Sequence, residues 1–152
     1  MDQHLTDLVA KKQKQAQAPQ PQIDWDKRRN EYLAAVAALY VQIRQILVDP
    51  INQGAITVQT RPKQLTEHFL GTYTVDDLIL LLGNEQVLFS PTGRNIVGAS
   101  GRVDVVGDRA EAILIVQPGP RWSFVQSRQP TLRAVPLDES TLAEVLTIVM
   151  RD

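Results

Sequence analysis

A chain of 152 residues has the length of one ordinary domain, and its 43% hydrophobic and 22% charged residues exclude a disordered chain. The absence of cysteine excludes disulfides, thiolate zinc sites and a cysteine nucleophile. A net charge of -1 argues against nucleic acid or an anionic membrane as the main partner.

The first 22 residues are predicted to form a flexible arm. Residues 11–22 read KKQKQAQAPQPQ and contain no aliphatic side chain larger than Ala, so this Gln/Pro/Lys stretch is interpreted as a linker. Before it, Leu5, Leu8 and Val9 have helical spacing. They belong either to a frayed terminus or to a docking peptide tethered by the linker.

A cytoplasmic location without membrane contact is expected. The first ten residues lack the basic start and apolar core of a secretory signal. The longest apolar run, over 78–82, is far too short to span a bilayer, which takes about twenty residues in a helix.

A single domain of class α+β is expected over 23–152, and it opens with a long helix over 25–47. Asp24 or Asp26 can cap the helix, and Asp49-Pro50 is expected to end it. A stripe with helical spacing follows one face: Tyr32, Val36, Leu39 and Ile43. Two interpretations stay open, namely packing in the domain core and a coiled-coil seam that makes a homodimer through helix 25–47.

From Gly54 onward the hydrophobic period is near two, which predicts strands. Short strands joined by short turns must be antiparallel neighbours, so we expect a curved meander of six or seven strands. Breaks or turns are predicted at 61–63, 76–77, 83–84 and 90–93, and one bent strand over 94–106. A shorter C-terminal helix follows, with Asp138 as its N-cap.

A two-residue turn at Gly107-Asp108 would place Asp104 opposite Glu111. Arg102 would then be diagonal to Glu111, and Arg109 diagonal to Asp104. This charged face is either merely solvated or a docking surface. The candidates for binding a partner protein are Arg102, Asp104, Arg109, Glu111 and Arg121.

Two alternatives use other residues. A small-ligand-binding protein or enzyme would use the concave sheet face. Its candidate lining residues are Arg61, His68, Tyr73, Arg94, Asn95 and Arg128. RNA or nucleotide binding would use the arginine-rich segment 94–133, but Trp122 and Phe124 are expected to point into the core rather than to stack on bases.

No catalytic residue, cofactor or metal site is predicted. Glu67 and His68 are adjacent and would point to opposite faces of a strand, and the chain contains neither a GxSxG elbow nor a phosphate loop. We therefore expect a non-enzymatic protein-interaction module, such as an adaptor, an inhibitor or an immunity-type protein. It would bind a partner protein through the sheet face, the long helix or the N-terminal arm.

Overall fold

The computed structural model describes residues 3–17, 24–68, 70–93, 101–117 and 119–151. The elements are α1 (Gln3–Gln17), α2 (Trp25–Ile46), α3 (Val48–Asn52), β1 (Ile56–Glu67), β2 (Gly71–Leu82), β3 (Glu85–Gly93), β4 (Gly101–Val106), β5 (Glu111–Gln117), β6 (Arg121–Ser127), β7 (Arg133–Pro136) and α4 (Glu139–Val149). The seven strands form one antiparallel sheet in chain order. The predicted α+β class is therefore confirmed.

Helix α2 provides the centre of the core. The Asp24 carboxylate accepts a hydrogen bond of 2.9 Å from the Lys27 amide, which caps the first turn as predicted. The predicted stripe is buried against the sheet of the same chain, with Leu39 and Ile43 fully inaccessible. The stripe therefore packs in the core of its own chain, and a homodimer through helix 25–47 stays a prediction.

The end of α2 differs from the prediction. The helix ends at Ile46, and Pro50 lies inside the following short helix α3. Proline is tolerated there because the first-turn amide that it lacks has no partner within a helix.

Strands β1 and β2 form one long hairpin, and the predicted break at 61–63 is wrong. The ladder runs without a shift from Ile56 opposite Leu82 to Glu67 opposite Gly71, with Pro62 opposite Asp76. Proline is accommodated because β1 is the edge of the sheet and pairs on one side only. The turn predicted at 76–77 is also wrong, because both residues lie within β2 and pair with β1 in the same unbroken ladder.

What changes near Pro62 is the face that the hairpin presents to the core. In β2 the core contains Tyr73 and Val75, at odd positions, but then Leu78 and Leu80, at even positions. The register is unbroken, so the backbone itself must turn over between residues 75 and 78. The half of the hairpin that contains Tyr73 and Val75 therefore packs against the core with one strand face, and the half that contains Leu78 and Leu80 packs with the other.

The later strands also correct the sequence analysis. Strand β3 continues through Ser90–Gly93, where a turn was predicted, and an irregularity in the ladder lies between Pro91 and Gly93. Of the bent strand predicted over 94–106, residues 94–100 lie outside the described residues. Trp122 and Phe124 are in the core as predicted, and Trp122 Nε1 donates to the Ala35 carbonyl at 2.8 Å.

The turn between β4 and β5 has four residues, 107–110, rather than two. Val106 pairs with Glu111 and Asp104 pairs with Ile113, so the predicted register is wrong by two positions. The amides of Arg109 and Ala110 donate instead to the Val149 carbonyl at the end of α4, at 2.9 and 3.4 Å. Contact with a helix distant in sequence therefore sets the length of this turn.

The predicted N-terminal arm is partly helical. Residues 3–17 form α1, and the described side chains of residues 3–13 are all exposed. Residues 18–23, which contain the prolines of the linker, lie outside the described residues. The division of the chain into an arm over 1–22 and a domain over 23–152 stays a prediction.

Helix α4 begins at its predicted cap, which yields a test. Asp138 accepts a hydrogen bond of 2.8 Å from the Thr141 amide, and this bond lowers the pKa of the Asp138 carboxyl. A lowered pKa stabilises the fold above the unfolded-state value of about 4, and this contribution is lost as the pH falls through the folded-state value.

We expect Asp138→Ala to lower the midpoint of thermal unfolding at neutral pH. Asp138→Ser is the control, because serine also caps helices. The deficit of the alanine variant should shrink on acidification. A deficit that is independent of pH, or equal in both variants, would contradict the capping role.

Candidate functional site

The sheet has an apolar face that points away from the core. Successive strands place apolar side chains there in register, with Ile79 opposite Leu88 and Leu88 opposite Val106. We call this surface the outer face, and its apolar residues include Ile79, Leu88, Val106, Ile113, Ile115 and Val125.

The outer face is distinct from the core. Ile79 and Ile115 are buried, yet neither belongs to the core cluster, and the other four apolar side chains are half-buried. Helices α2, α3 and α4 all contribute side chains to the core on the opposite face, and the described side chains of α1 are exposed. Among the described helices, then, none covers the outer face. An antiparallel sheet usually presents polar side chains where it faces water.

A buried ionic cluster lies at one end of the outer face. The Asp77 side chain is only 5% exposed, and its Oδ1 lies 2.7 Å from Lys63 Nζ. Lys63 Nζ also donates to Ser90 Oγ at 2.5 Å, while Arg61 Nη2 lies 3.4 Å from Asp77 Oδ2. Among the described residues none donates a well-directed hydrogen bond to Asp77 Oδ1, so the ammonium charge of Lys63 is its main compensation.

A second ion pair lies nearer the centre of the outer face. Arg102 Nε is 2.6 Å from Asp104 Oδ1, two positions along the same strand. Arg102 pairs across the strands with Ile115, and Asp104 with Ile113. The predicted lattice of alternating charges is therefore a surface where charged and apolar side chains alternate.

The structure brings most of the predicted partner-binding residues together. Arg102, Asp104 and Glu111 share the outer face, and Arg121 lies on it opposite Gln117. Arg109 lies instead in the turn over 107–110, with an exposed side chain.

Those of the predicted ligand-binding residues that the structure describes do not converge. Arg61 is at the outer-face cluster, whereas Tyr73 is buried in the core, and the sheet face that packs against α2 and α4 is filled by their side chains. His68 and Arg128 are exposed at turns that follow different strands. Arg94 and Asn95 lie outside the described residues.

Three buried tyrosine hydroxyls form a polar layer inside the core. Tyr32 Oη donates to the Arg102 carbonyl at 2.6 Å and accepts from the Gly93 amide at 3.2 Å. Tyr40 Oη donates to the Asp76 carbonyl at 2.5 Å, and Tyr73 Oη donates to a Glu67 carboxylate oxygen.

Burial raises the pKa of all three tyrosines well above the ordinary value. Nearby Asp77 adds to this effect at Tyr40, and the hydrogen bond to Glu67 adds to it at Tyr73. The three hydroxyls act as neutral donors. Those of Tyr32 and Tyr40 link α2 to β4 and β2, and that of Tyr73 joins the two strands of the β1–β2 hairpin.

Within the described ranges, no group of three or more His, Cys, Asp or Glu side chains is placed to hold a metal ion. None of the described helices is long and apolar enough to cross a membrane. The cytoplasmic location stays a prediction.

Sequence reasoning missed the Asp77 cluster and the apolar continuation of the outer face. A signal for the first was present in β2, where the apolar positions step by three between Val75 and Leu78 and so change face. A signal for the second was also present, because Ile113 and Ile115 share strand parity with Glu111 and so lie on its face. The register of β4 and β5 decided only that Ile113 rather than Glu111 lies beside Asp104.

Comparison with protein families, with curated proteins and with solved structures finds no match to this chain.

Proposed function

We propose that this chain is a non-enzymatic protein-interaction module that docks a partner protein on its outer face. The observation that carries the proposal is the row Ile79, Leu88 and Val106, continued by the apolar residues of β5, on a sheet face that no described helix covers. A contiguous apolar surface with charged neighbours is typical of a protein interface.

The charges of the outer face favour a protein over a nucleic acid. Its basic residues largely have acidic partners, with Lys63 and Arg61 on Asp77 and Arg102 on Asp104. A nucleic-acid surface needs unpaired positive charge to replace counterions along the phosphates. A partner protein instead needs apolar contacts, and the outer face has half-buried apolar side chains beside its ion pairs.

The proposal is tested by comparing partners captured by the full-length parent and by an Ile113→Lys variant. Ile113 is half-buried and outside the core cluster, so the variant should remain folded. We expect the main partner of the parent to bind the variant at least about tenfold more weakly, because a charge would be buried against an apolar surface. Affinities are then measured with the purified partner.

The matched control is Ala38→Lys, which adds the same charge to an exposed position of α2 on the other side of the sheet. It should bind like the parent. Equal binding of the parent and the Ile113 variant, with both folded by circular dichroism, would refute docking on the outer face.

A further inference from the structure

A second unpartnered surface lies on the helical side of the molecule. Between α2 and β2 there is an open groove of about 270 Å³, and the described residues that line it are mainly apolar. They are Leu33, Val36, Ala37, Tyr40, Thr74, Val75 and Asp76. This volume corresponds to about nine water molecules, which is enough for bulky side chains to enter.

The chain itself carries a helix with an exposed apolar face. Leu5, Leu8 and Val9 lie on one face of α1 and are 50%, 50% and 48% exposed. An isolated helix of 15 residues is marginal in water, so packing of this face would stabilise it.

We propose that α1 folds back on its own chain and docks in this groove, antiparallel to α2. Seven residues, 18–24, separate the end of α1 from the start of α2. That length lies within the range of ordinary connections between antiparallel helices, which is about two to eight residues.

The positions along the two helices match. Leu8 precedes the end of α1 by nine residues, or about 14 Å, and Leu33 and Ala37 follow the start of α2 by eight and twelve residues, or about 12–18 Å. An antiparallel pair therefore places the apolar face of α1 at the level of the groove.

Charge also favours this arrangement. Exposed Asp76 is among the residues that line the groove, and exposed Lys12 lies on the same face of α1 as Leu5 and Leu8. The inference does not depend on the outer face, because the groove lies on the helical side of the sheet.

The test uses the full-length chain, which contains no native cysteine. Spin labels on Gln13→Cys and Ala38→Cys report the distance between α1 and α2 from two exposed positions that do not line the groove. We expect a narrow distance distribution that persists when labelled protein is diluted with unlabelled chain. A broad distribution, or a narrow one that dilution removes because a second copy supplies α1, would overturn the proposal.

Two matched pairs of variants locate the contact. Leu8→Glu should broaden the distribution, while Ala10→Glu, on the opposite face of α1, should not; both keep a good helix former. Ala37→Glu in the groove should broaden it, while Ala34→Glu, outside the groove, should not. Amides over residues 5–13 should exchange about tenfold faster in the Leu8 variant than in the parent. Equal responses within either pair would refute this docking site.

Discussion

The folded protein should show no tyrosine ionisation near pH 10 and should lose stability steeply above that pH. The chain has three tyrosines, and all three are buried with raised pKa values. In the unfolded chain each would titrate at about pH 10. A raised folded-state pKa gives stability that is complete below the unfolded value and is lost as the pH rises, because the unfolded chain then binds fewer protons.

The expected slope is large. For each tyrosine proton that the folded protein keeps and the unfolded chain loses, the free energy of unfolding falls by about 1.4 kcal/mol per pH unit. Three tyrosines therefore lower it by about 4 kcal/mol per pH unit above pH 10. Absorbance of tyrosinate during alkaline titration should therefore rise together with the loss of the circular dichroism signal. Tyr73→Phe is the control variant, and it should reduce the slope by about one third. A reversible tyrosinate transition near pH 10 in folded protein would show that a hydroxyl is accessible.

Replacing Lys63 by methionine should destabilise the protein by about 2–3 kcal/mol. The substitution keeps most of the aliphatic stem but leaves the Asp77 carboxylate, 5% exposed, with Arg61 at 3.4 Å as its remaining ionic partner among the described residues. An uncompensated buried charge costs more than the pair contributes, because the carboxylate has given up its hydration. The free energy of unfolding in urea measures the effect.

A thermodynamic cycle separates the pair from the single charge. Lys63→Met combined with Asp77→Leu removes both charges, and it should recover stability to within about 1 kcal/mol of the parent. Arg61→Met is the exposed control, with a side chain 60% accessible, and should cost less than about 1 kcal/mol. If Lys63→Met costs no more than Arg61→Met, the cluster is a solvated surface feature.

The cluster and the outer face are linked in space. Lys63 bonds Ser90, and Ser90 pairs across the sheet with Asp104, which is beside Ile113. The Lys63 and Asp77 variants, measured by the free energy of unfolding, and the Ile113 variant, measured by its affinity for the partner, therefore test neighbouring positions of one surface.

Much of the local structure could be predicted because it depends on neighbouring residues. Asp24 and Asp138 cap their helices as expected, since a cap needs only a short polar side chain and the amide three positions later. The two-residue turn at Gly83-Asn84 joins Leu82 to Glu85, and Gly83 adopts a φ of 57° that glycine accepts readily.

The candidate site could be predicted only in part. Arg102, Asp104, Glu111 and Arg121 do share one sheet face, because alternation along a strand survives a register error of two positions. Their neighbours could not be predicted, because a turn of four residues instead of two replaces each cross-strand partner. The hydrogen bonds that lengthen this turn end on Val149, about forty residues away in the sequence.

By itself, then, the sequence determined the α+β class, the antiparallel meander, the caps and the existence of an apolar stripe along α2, since hydrophobic periodicity and turn chemistry are local properties. Only the tertiary structure decided that the long hairpin changes face near Pro62 and that Asp77 is buried beside Lys63. It also decided that Ile113 and Ile115 extend an apolar surface away from the helices. These features depend on which residues meet across strands and on which face the helices cover, and both are set by packing between segments that are distant along the chain.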